Sequence, residues 1–402
     1  MRFYKYYKPG NVEFSVLRRG EVFFASHAEL NDDQECRPRF VLRGSLELWT
    51  RLAHHVLLEV CVSSNLDNPC ASDLLCLHEP LGRVLKKMAG RRDVAIEDLN
   101  ALFIAALREV FPDTLTSDAE RALLISQSQD VINRRIPALL HEPIYIASFT
   151  RNPCNPTMWG HYAGAGKGFA VVYESGDGRL GVESPIPVIW GTRPKPDGVN
   201  EVGIYKADRL ELTSVSYRTQ PPKADAFHRL IPKFTYGEME DHYDVPLLLP
   251  ADAQEKQERL VGLVKYSDWR YEKEVRALLP AHGQLPSDAR VLRVSPEDIA
   301  GLIFGPSMSR RDKYRAIACC HLLREATADS HAHCLPPFMF FQAEYSVDHY
   351  PLNVRPVGVL DRMPFDRHTP LVKEADLDDS TVEQLHRLHH AIMEDGSQAG
   401  KA

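Results

Sequence analysis

Two glutamates and an arginine alternate in the segment Trp269-Arg270-Tyr271-Glu272-Lys273-Glu274-Val275-Arg276. Side chains alternate between the two faces of a strand, so Glu272, Glu274 and Arg276 are predicted to share one face. A carboxylate fixed on a strand can hold a ribose hydroxyl and stabilise a developing oxocarbenium charge, and a second one can orient or deprotonate an acceptor. The same spacing is typical of a solvated face with a Glu–Arg ladder, so both interpretations stay open.

A second polar segment begins at Ser148-Phe149-Thr150 and continues through a glycine-rich stretch that contains Trp159, His161 and Tyr162. Alternation places Ser148 and Thr150 on one face at the end of a strand. The three aromatic residues can form a pocket with polar tips, which suits a nicotinamide or a nucleobase. We expect His161 and Tyr162 to line it. The alternative is a glycine turn whose aromatic residues belong to the core.

The N-terminal strand is rich in aromatic and basic residues, among them Tyr4, Lys5 and Tyr6. Cations on such a strand can hold phosphates or a pyrophosphate. They are equally typical of an edge strand that charge protects from aggregation.

Cysteine and histidine cluster in Cys319-Cys320-His321 and in His331-Ala332-His333-Cys334. These are zinc ligands, but adjacent residues such as Cys319 and Cys320 rarely reach one tetrahedral site. We therefore predict no metal here, with helix-buried cysteines and solvent-facing histidines.

The order of the predicted strands and helices that carry these residues indicates an α+β fold with a mixed sheet. Strand-like segments precede and follow a block of helical periodicity at about 45–141, without strict alternation of strands and helices. We expect an α+β core over 1–355 that contains this helical insertion. A linker rich in Pro and Asp is predicted at 356–379, followed by a C-terminal helix or tail at 380–402.

Composition excludes several classes of protein. The chain has 402 residues and a formal net charge of −7, so it has no overall excess of positive charge that would attract nucleic acid or an anionic membrane. The net charge does not exclude a local basic groove. The sequence has neither a long apolar run nor a signal peptide, and scattered cysteines without a Cys-x-x-Cys motif indicate reduced thiols. We expect a cytoplasmic protein without membrane contact.

Several stretches together resemble the bacterial domain-of-unknown-function family 2971. They are Tyr4-Lys5-Tyr6, the strand and turn at 22–35, the Met-Trp-x-His-Tyr-Ala segment at 158–173, the set Trp269, Glu272, Glu274 and Arg276, and Ile303-Phe304-Gly305. Asp33 and Gln34 replace the Pro-Phe pair that the family shows in its turn.

A more distant similarity implies a chemistry. A basic first strand, a Ser-x-Thr strand and a Glu-x-Glu strand, in that order, resemble the arginine-serine-glutamate pattern of ADP-ribosyltransferases. The resemblance implies that Glu274 is the catalytic glutamate, that Glu272 orients the acceptor, and that Ser148 supports Glu274. Tyr4-Lys5-Tyr6 stands where that family shows its first-strand arginine.

Three functions follow as hypotheses. An enzyme would bind NAD as its substrate near Trp159 and Tyr162 and pass ADP-ribose to protein, nucleic acid or water. A binding module would hold a nucleotide signal or a nucleic-acid end in the same cleft within a bacterial antiphage defence or toxin system, and the helical insertion would transmit its occupancy. A nuclease would use Glu35, Glu272 and Glu274 with a divalent metal.

Overall fold

A large, mostly antiparallel sheet forms the centre of this α+β protein, and helices cover both of its faces. The structure is a computed structural model, and it describes residues 1–64, 78–91, 93–110, 118–141, 143–194, 200–231, 256, 259–279, 284–331, 335–360 and 371–398. Within these residues, no helix is both long and apolar enough to cross a bilayer.

Nineteen strands lie in the described parts of the chain. They are β1 (Arg2–Tyr7), β2 (Glu21–Phe23), β3 (Ala25–Ser26), β4 (Arg39–Leu42), β5 (Val94–Ala95), β6 (Tyr145–Thr150), β7 (Phe169–Glu174), β8 (Arg179–Pro194), β9 (Asn200–Glu211), β10 (Thr213–Ser214), β11 (Ser216–Arg218), β12 (Lys223–Asp225), β13 (Val264–Tyr266), β14 (Glu274–Leu279), β15 (Val291–Arg293), β16 (Ile299–Phe304), β17 (Met339–Glu344), β18 (Asn353–Leu360) and β19 (Leu371–Val372).

The helices are α1 (Asn11–Arg19), α2 (Leu46–Ser64), α3 (His78–Ala89), α4 (Ile96–Val110), α5 (Asp118–Asp130), α6 (Ile136–Leu140), α7 (Pro156–Tyr162), α8 (Ala226–Leu230), α9 (Arg310–His331) and α10 (Asp379–Gln398). Helices α2 to α6 form the helical block, which confirms the predicted insertion at about 45–141 and the α+β class.

The large sheet has the strand order β10-β14-β6-β1-β7-β16-β17-β18-β19, and β3 also pairs with β6. The three strands that carry the motifs, β1, β6 and β14, are therefore neighbours. Strand β14 pairs with β6 along its whole length, whereas β1 and β6 are in register only at Tyr4 and Thr150. The two strands separate beyond that pair.

The two faces of the sheet bury different sets of side chains. Phe3, Phe149 and Val275 belong to a core that α1 and α9 help to form on one face. On the other face, Tyr4 packs in a core with α10, while Ile146 and the partly buried Leu278 join the core of the helical block. Polar residues of β6 and β14 lie between these last two cores.

The C-terminal region differs from the sequence-based expectation. Residues 356–360, assigned to a linker, belong to β18, and Pro356 lies where the register with β17 shifts. A bulge is one of the few positions in a sheet that tolerate the missing N–H of proline, so this residue did not end the strand. The predicted C-terminal helix is α10, and its Leu385, Leu388 and Ile392 are buried against the sheet.

Candidate functional site

Five charged side chains are buried together between the sheet and the helical block. We call Glu35, Lys265, Glu272, Glu274 and Arg276 the buried charge cluster. Each is less than 10% exposed; Glu272 and Arg276 are 2% and 1% exposed. Burial on this scale requires that every charge be paired, because an isolated ion inside a protein costs several kcal/mol.

Local structure brings the cluster together from three segments. Glu274 and Arg276 lie on β14, directly opposite Thr150 and Ser148 of β6 in antiparallel register. Residues that face each other in this way project from the same face of a sheet. The predicted shared face of Glu274 and Arg276 is thus confirmed, although it is buried rather than solvated.

The expectation that Glu272 lies on the same strand is wrong. Glu272 ends a 3-10 helix, Ser267–Glu272, and β14 begins only at Glu274. Lys273 between them has φ 44°, in the left-handed region that non-glycine residues seldom adopt. This turn still directs the Glu272 carboxylate to the cluster, because Lys265 of β13 binds both glutamates.

The ion pairs of the cluster are short and shared. Lys265 Nζ donates to Glu272 Oε2 at 2.5 Å and to Glu274 Oε2 at 3.0 Å, and lies 3.5 Å from Glu35 Oε1. Arg276 Nε donates to Glu274 Oε1 at 2.7 Å, and its Nη2 donates to both Glu274 and Glu35. Three carboxylates thus share two cations, which leaves one formal negative charge.

This imbalance separates the pKa values of two of the carboxyl groups. Burial opposes ionisation of Glu274, but Arg276 and Lys265 outweigh it and lower the pKa of Glu274. For Glu35, burial prevails over the same two cations and raises the pKa. Paired carboxyl groups whose environments shift their pKa values in opposite directions have different roles. Glu274 is the fixed anion, and Glu35 is the group that more readily accepts a proton.

Ser148 and Glu274 project from the same face of β6 and β14, and the Ser148 hydroxyl helps to lower the pKa of the Glu274 carboxyl group. Lys5 projects from the opposite face of the sheet, where its ammonium lies 5.1 Å from the centre of the Phe149 ring. The Lys5 ammonium donates to the Ser148 carbonyl at 2.9 Å, where β1 and β6 separate. Burial lowers the pKa of Lys5 to about 8, against the opposing attraction of Glu274. Ser148 and Glu274 therefore share one face, and Lys5 contacts only the backbone of Ser148 from the other face.

Four aromatic side chains surround one side of the cluster. We call Tyr162, His161, Tyr271 and Trp269 the aromatic collar. The ring centroids of His161 lie 6.2 Å from Tyr162 and 6.3 Å from Tyr271, and Tyr271 lies 6.1 Å from Trp269. His161 is exposed and the other three are half-buried.

The collar is attached to the cluster at both ends. The Tyr162 hydroxyl donates to Glu272 Oε1 at 2.6 Å. Lys265 Nζ lies 5.0 Å from the centre of the Trp269 ring, a cation–π distance, and Trp269 Nε1 donates to Asp32 at 3.0 Å. Half-buried rings above fixed charges can accept a flat ligand that carries a positive charge.

The other residues predicted to bind a cofactor are engaged in the fold. Tyr4 is fully buried and its hydroxyl donates to Asp395 at 2.6 Å. Trp159 is 1% exposed and its Nε1 donates to the Pro153 carbonyl. Tyr6 packs edge-on against Trp159 and donates to the Asn152 carbonyl. These three side chains therefore have structural contacts within the core that includes α10.

Thr150 also has a structural contact. Its hydroxyl donates to the Glu272 carbonyl at 2.5 Å and accepts from the Asn152 amide at 3.0 Å. It therefore fixes the backbone of Glu272, which complements the side-chain contact that Ser148 makes with Glu274.

The cysteine and histidine cluster lies elsewhere. Cys319, Cys320 and His321 belong to α9, and His321 is buried rather than solvent-facing, because the helix packs on the sheet. His333 and Cys334 lie outside the described residues. Within the described residues, no group of three or more His, Cys, Asp or Glu side chains is placed to hold a metal ion.

Lys265 and Tyr217 are the contributors that sequence reasoning missed. Lys265 occurs in the short strand Val264–Tyr266, where a single lysine gives no motif. Tyr217 accepts a hydrogen bond from the Glu274 amide at 2.8 Å and comes from a distant strand. The sequence feature that could have revealed Lys265 is a lysine between apolar residues just before the Trp269 motif.

Comparison of the chain with models of protein families, with curated proteins and with solved structures finds no match.

Proposed function

We propose that this protein is an ADP-ribosyltransferase-like enzyme that cleaves the glycosidic bond between nicotinamide and ribose in NAD. The observation that carries the proposal is the placement of Ser148 and Glu274 on one face of two neighbouring strands, two residues apart in register. Serine and glutamate are two of the three residue types of the arginine-serine-glutamate pattern, and Lys5 of the adjoining first strand contacts the Ser148 carbonyl from the other face. Membership of family 2971 remains a separate prediction.

Cleavage of the bond between nicotinamide and ribose requires a carboxylate that stays ionised. Departure of nicotinamide leaves positive charge on the ribose, and a fixed negative charge stabilises that transition state more than the ground state. Arg276 and Lys265 overcome the effect of burial and keep the pKa of Glu274 low.

The aromatic collar supports the choice of NAD among nucleotides. The nicotinamide ring of NAD is flat and positively charged, so it gains from stacking on rings and from nearby carboxylates. The collar offers four rings in a series, each centroid within 6.3 Å of the next. An uncharged nucleobase would gain stabilisation from stacking on the rings but none from attraction to the carboxylates.

Glu272 has the better position to orient an acceptor. Its Oε1 accepts a hydrogen bond from Tyr162 of the collar, whereas Arg276 and Lys265 hold the two oxygens of Glu274. An acceptor bound on the collar is therefore connected to Glu272 through Tyr162. The acceptor is water, a protein or a nucleic acid, and the cluster itself does not distinguish them.

The test is release of nicotinamide from NAD by the purified full-length protein, measured by chromatography with and without protein and nucleic-acid acceptors. We expect release that depends on enzyme concentration. No release under any of these conditions would overturn the proposal.

A binding module is the second candidate. Both oxygens of Glu274 are held by Arg276 or Lys265, as in an ion-pair network that serves only to fix the fold. Quenching of tryptophan fluorescence by NAD without nicotinamide release would favour this function. A metal-dependent nuclease is disfavoured because the same cations already bind the oxygens of Glu35, Glu272 and Glu274.

A further inference from the structure

A row of cations follows strand β4 on the surface of this acidic protein. We call Arg37, Arg39, Arg43, Arg91 and Lys223 the basic strip. All five side chains are exposed. The row is local, because the whole chain has a net charge of −7.

The strip gathers around the start and end of β4. Arg39 begins the strand and Arg43 follows its last residue, while Arg37 lies two residues before it. Lys223 of β12 lies directly opposite Arg39 in parallel register. At about 3.3 Å per residue, the four steps from Arg39 to Arg43 span at most roughly 13 Å. Arg39 and Lys223 are like charges placed side by side, and such pairs repel each other.

A concave surface adjoins the strip. Arg43, Gly44, Ala89, Arg91 and Asp93 line a recess of about 600 Å³. Asp93 accepts from Arg43 at 2.6 and 2.9 Å and from Lys223 at 3.0 Å. One carboxylate shared in this way fixes two cations at the rim without neutralising the row.

We propose that the basic strip binds the phosphate backbone of a nucleic acid. A row of about 13 Å corresponds to roughly four base-pair steps of a duplex, which carries one charge per about 1.7 Å of axis. Arginine is suited to this contact because its planar guanidinium binds phosphate oxygens in pairs. The strip has exposed cations and little exposed aromatic surface, so binding is independent of sequence.

One residue of the strip is close in sequence to the candidate site. Arg37 is two residues from Glu35 of the buried charge cluster, so their Cα atoms are at most about 7 Å apart. If the proposed transferase function holds, on which this step rests, a nucleic acid on the strip is the ADP-ribose acceptor. Binding itself does not depend on that function.

The experiment measures fluorescence anisotropy of a labelled 20-nucleotide single-stranded DNA and its duplex, without NAD, at 50 to 300 mM salt. We compare the wild type with Arg39→Gln/Arg43→Gln/Arg91→Gln. The control Arg310→Gln/Arg311→Gln/Arg387→Gln removes the same charge from α9 and α10. Circular dichroism and thermal unfolding check that both variants fold.

We expect the strip variant to bind single-stranded DNA about 10- to 100-fold more weakly, with a salt slope reduced by about 2, since each phosphate contact contributes about 0.7. The control should stay within about 3-fold of the wild type. No binding by the wild type, or equal losses in both variants, would overturn the inference. Competition by polyglutamate as effective as that by DNA would overturn it in favour of an acidic protein partner.

A second readout separates the two proposals. ADP-ribose incorporation into the oligonucleotide should fall in the strip variant while nicotinamide release to water is kept. Nicotinamide release by a wild type that does not bind DNA would leave the transferase proposal standing and remove this one.

Discussion

Tyr162 and Glu272 join the two parts of the candidate site, because the Tyr162 hydroxyl donates a 2.6 Å hydrogen bond to Glu272 Oε1. One partner lies on the half-buried collar and the other is 2% exposed in the charge cluster. Burial and the adjacent Glu272 carboxylate raise the pKa of Tyr162, so the phenol stays protonated and keeps donating at neutral pH. A ligand on the collar is therefore one hydrogen bond away from the buried charges.

Tyr162→Phe tests this connection, since it removes the hydroxyl and keeps the ring. A hydrogen bond to a charged group contributes about 1.5–3 kcal/mol. We expect the free energy of unfolding to fall by roughly that amount in urea denaturation. Tyr345→Phe, at a residue 65% exposed, is the control and should change it by less than about 0.5 kcal/mol. A change in Tyr162→Phe no larger than in the control would contradict the connection.

Arg276→Met tests whether the cluster is held together by charge. The substitution keeps an unbranched side chain but leaves three buried carboxylates with Lys265 alone. Loss of one partner from a buried ion pair costs about 3–5 kcal/mol, and we expect a loss of that size in chemical denaturation.

The matched control for Arg276→Met is the double variant Arg276→Met/Glu274→Gln, which also removes the carboxylate that the arginine contacts most. It should be more stable than the single variant, because the excess negative charge is smaller. Equal stabilities of the single and double variants would show that packing, rather than charge, explains the loss.

The sequence predicted the elements of the site better than their environment. Alternation correctly placed Glu274 and Arg276 on one face, because the two-residue period of a strand is a local property. Burial of that face depends on the helical block, which is distant in sequence. Glu272 was misassigned because the left-handed Lys273 ends the strand pattern without a glycine. Lys265 was missed because its three carboxylate partners come from other segments.

The C-terminal helix should be essential to folding. Leu385 is fully buried in the core that α10 forms with the sheet. Leu→Ala substitutions in cores cost about 2–5 kcal/mol, so Leu385→Ala should lower the free energy of unfolding by that amount. Arg387→Ala, two residues away and exposed, is the control and should change it by less than about 0.5 kcal/mol. Similar effects of the two substitutions would mean that α10 does not contribute to the cooperative core.

Lys5 predicts a specific pH dependence of stability. Burial lowers its pKa to about 8 in the folded protein, below the value of about 10.4 in an unfolded chain. Between these two values the unfolded state binds more protons, so this group makes stability rise with pH from about 8 to 10.4. Lys5→Met should abolish the rise, measured by urea denaturation across this range. Lys8→Met, at a side chain 72% exposed, should keep the profile of the wild type; a loss of the rise there too would point to a different group.

The two glutamates of the motif should affect catalysis differently. Glu274→Gln keeps the shape and deletes the charge, so stabilisation of the ribose cation is lost while most ground-state contacts remain. We expect nicotinamide release to fall by about two to four orders of magnitude with NAD affinity little altered. Glu272→Gln should impair transfer to an acceptor more than hydrolysis, because Glu272 contacts the collar through Tyr162.

Because both carboxylates are buried, each variant must first be shown to remain folded by circular dichroism and thermal unfolding. A stability control is Glu35→Gln, which changes the same cluster at the carboxyl group whose pKa burial raises. It should keep more activity than Glu274→Gln, since a group that readily accepts a proton contributes less fixed negative charge. Full activity in folded Glu274→Gln would exclude that residue as the catalytic anion. Equal losses in all three folded variants would instead assign the effect to the shared ion-pair network.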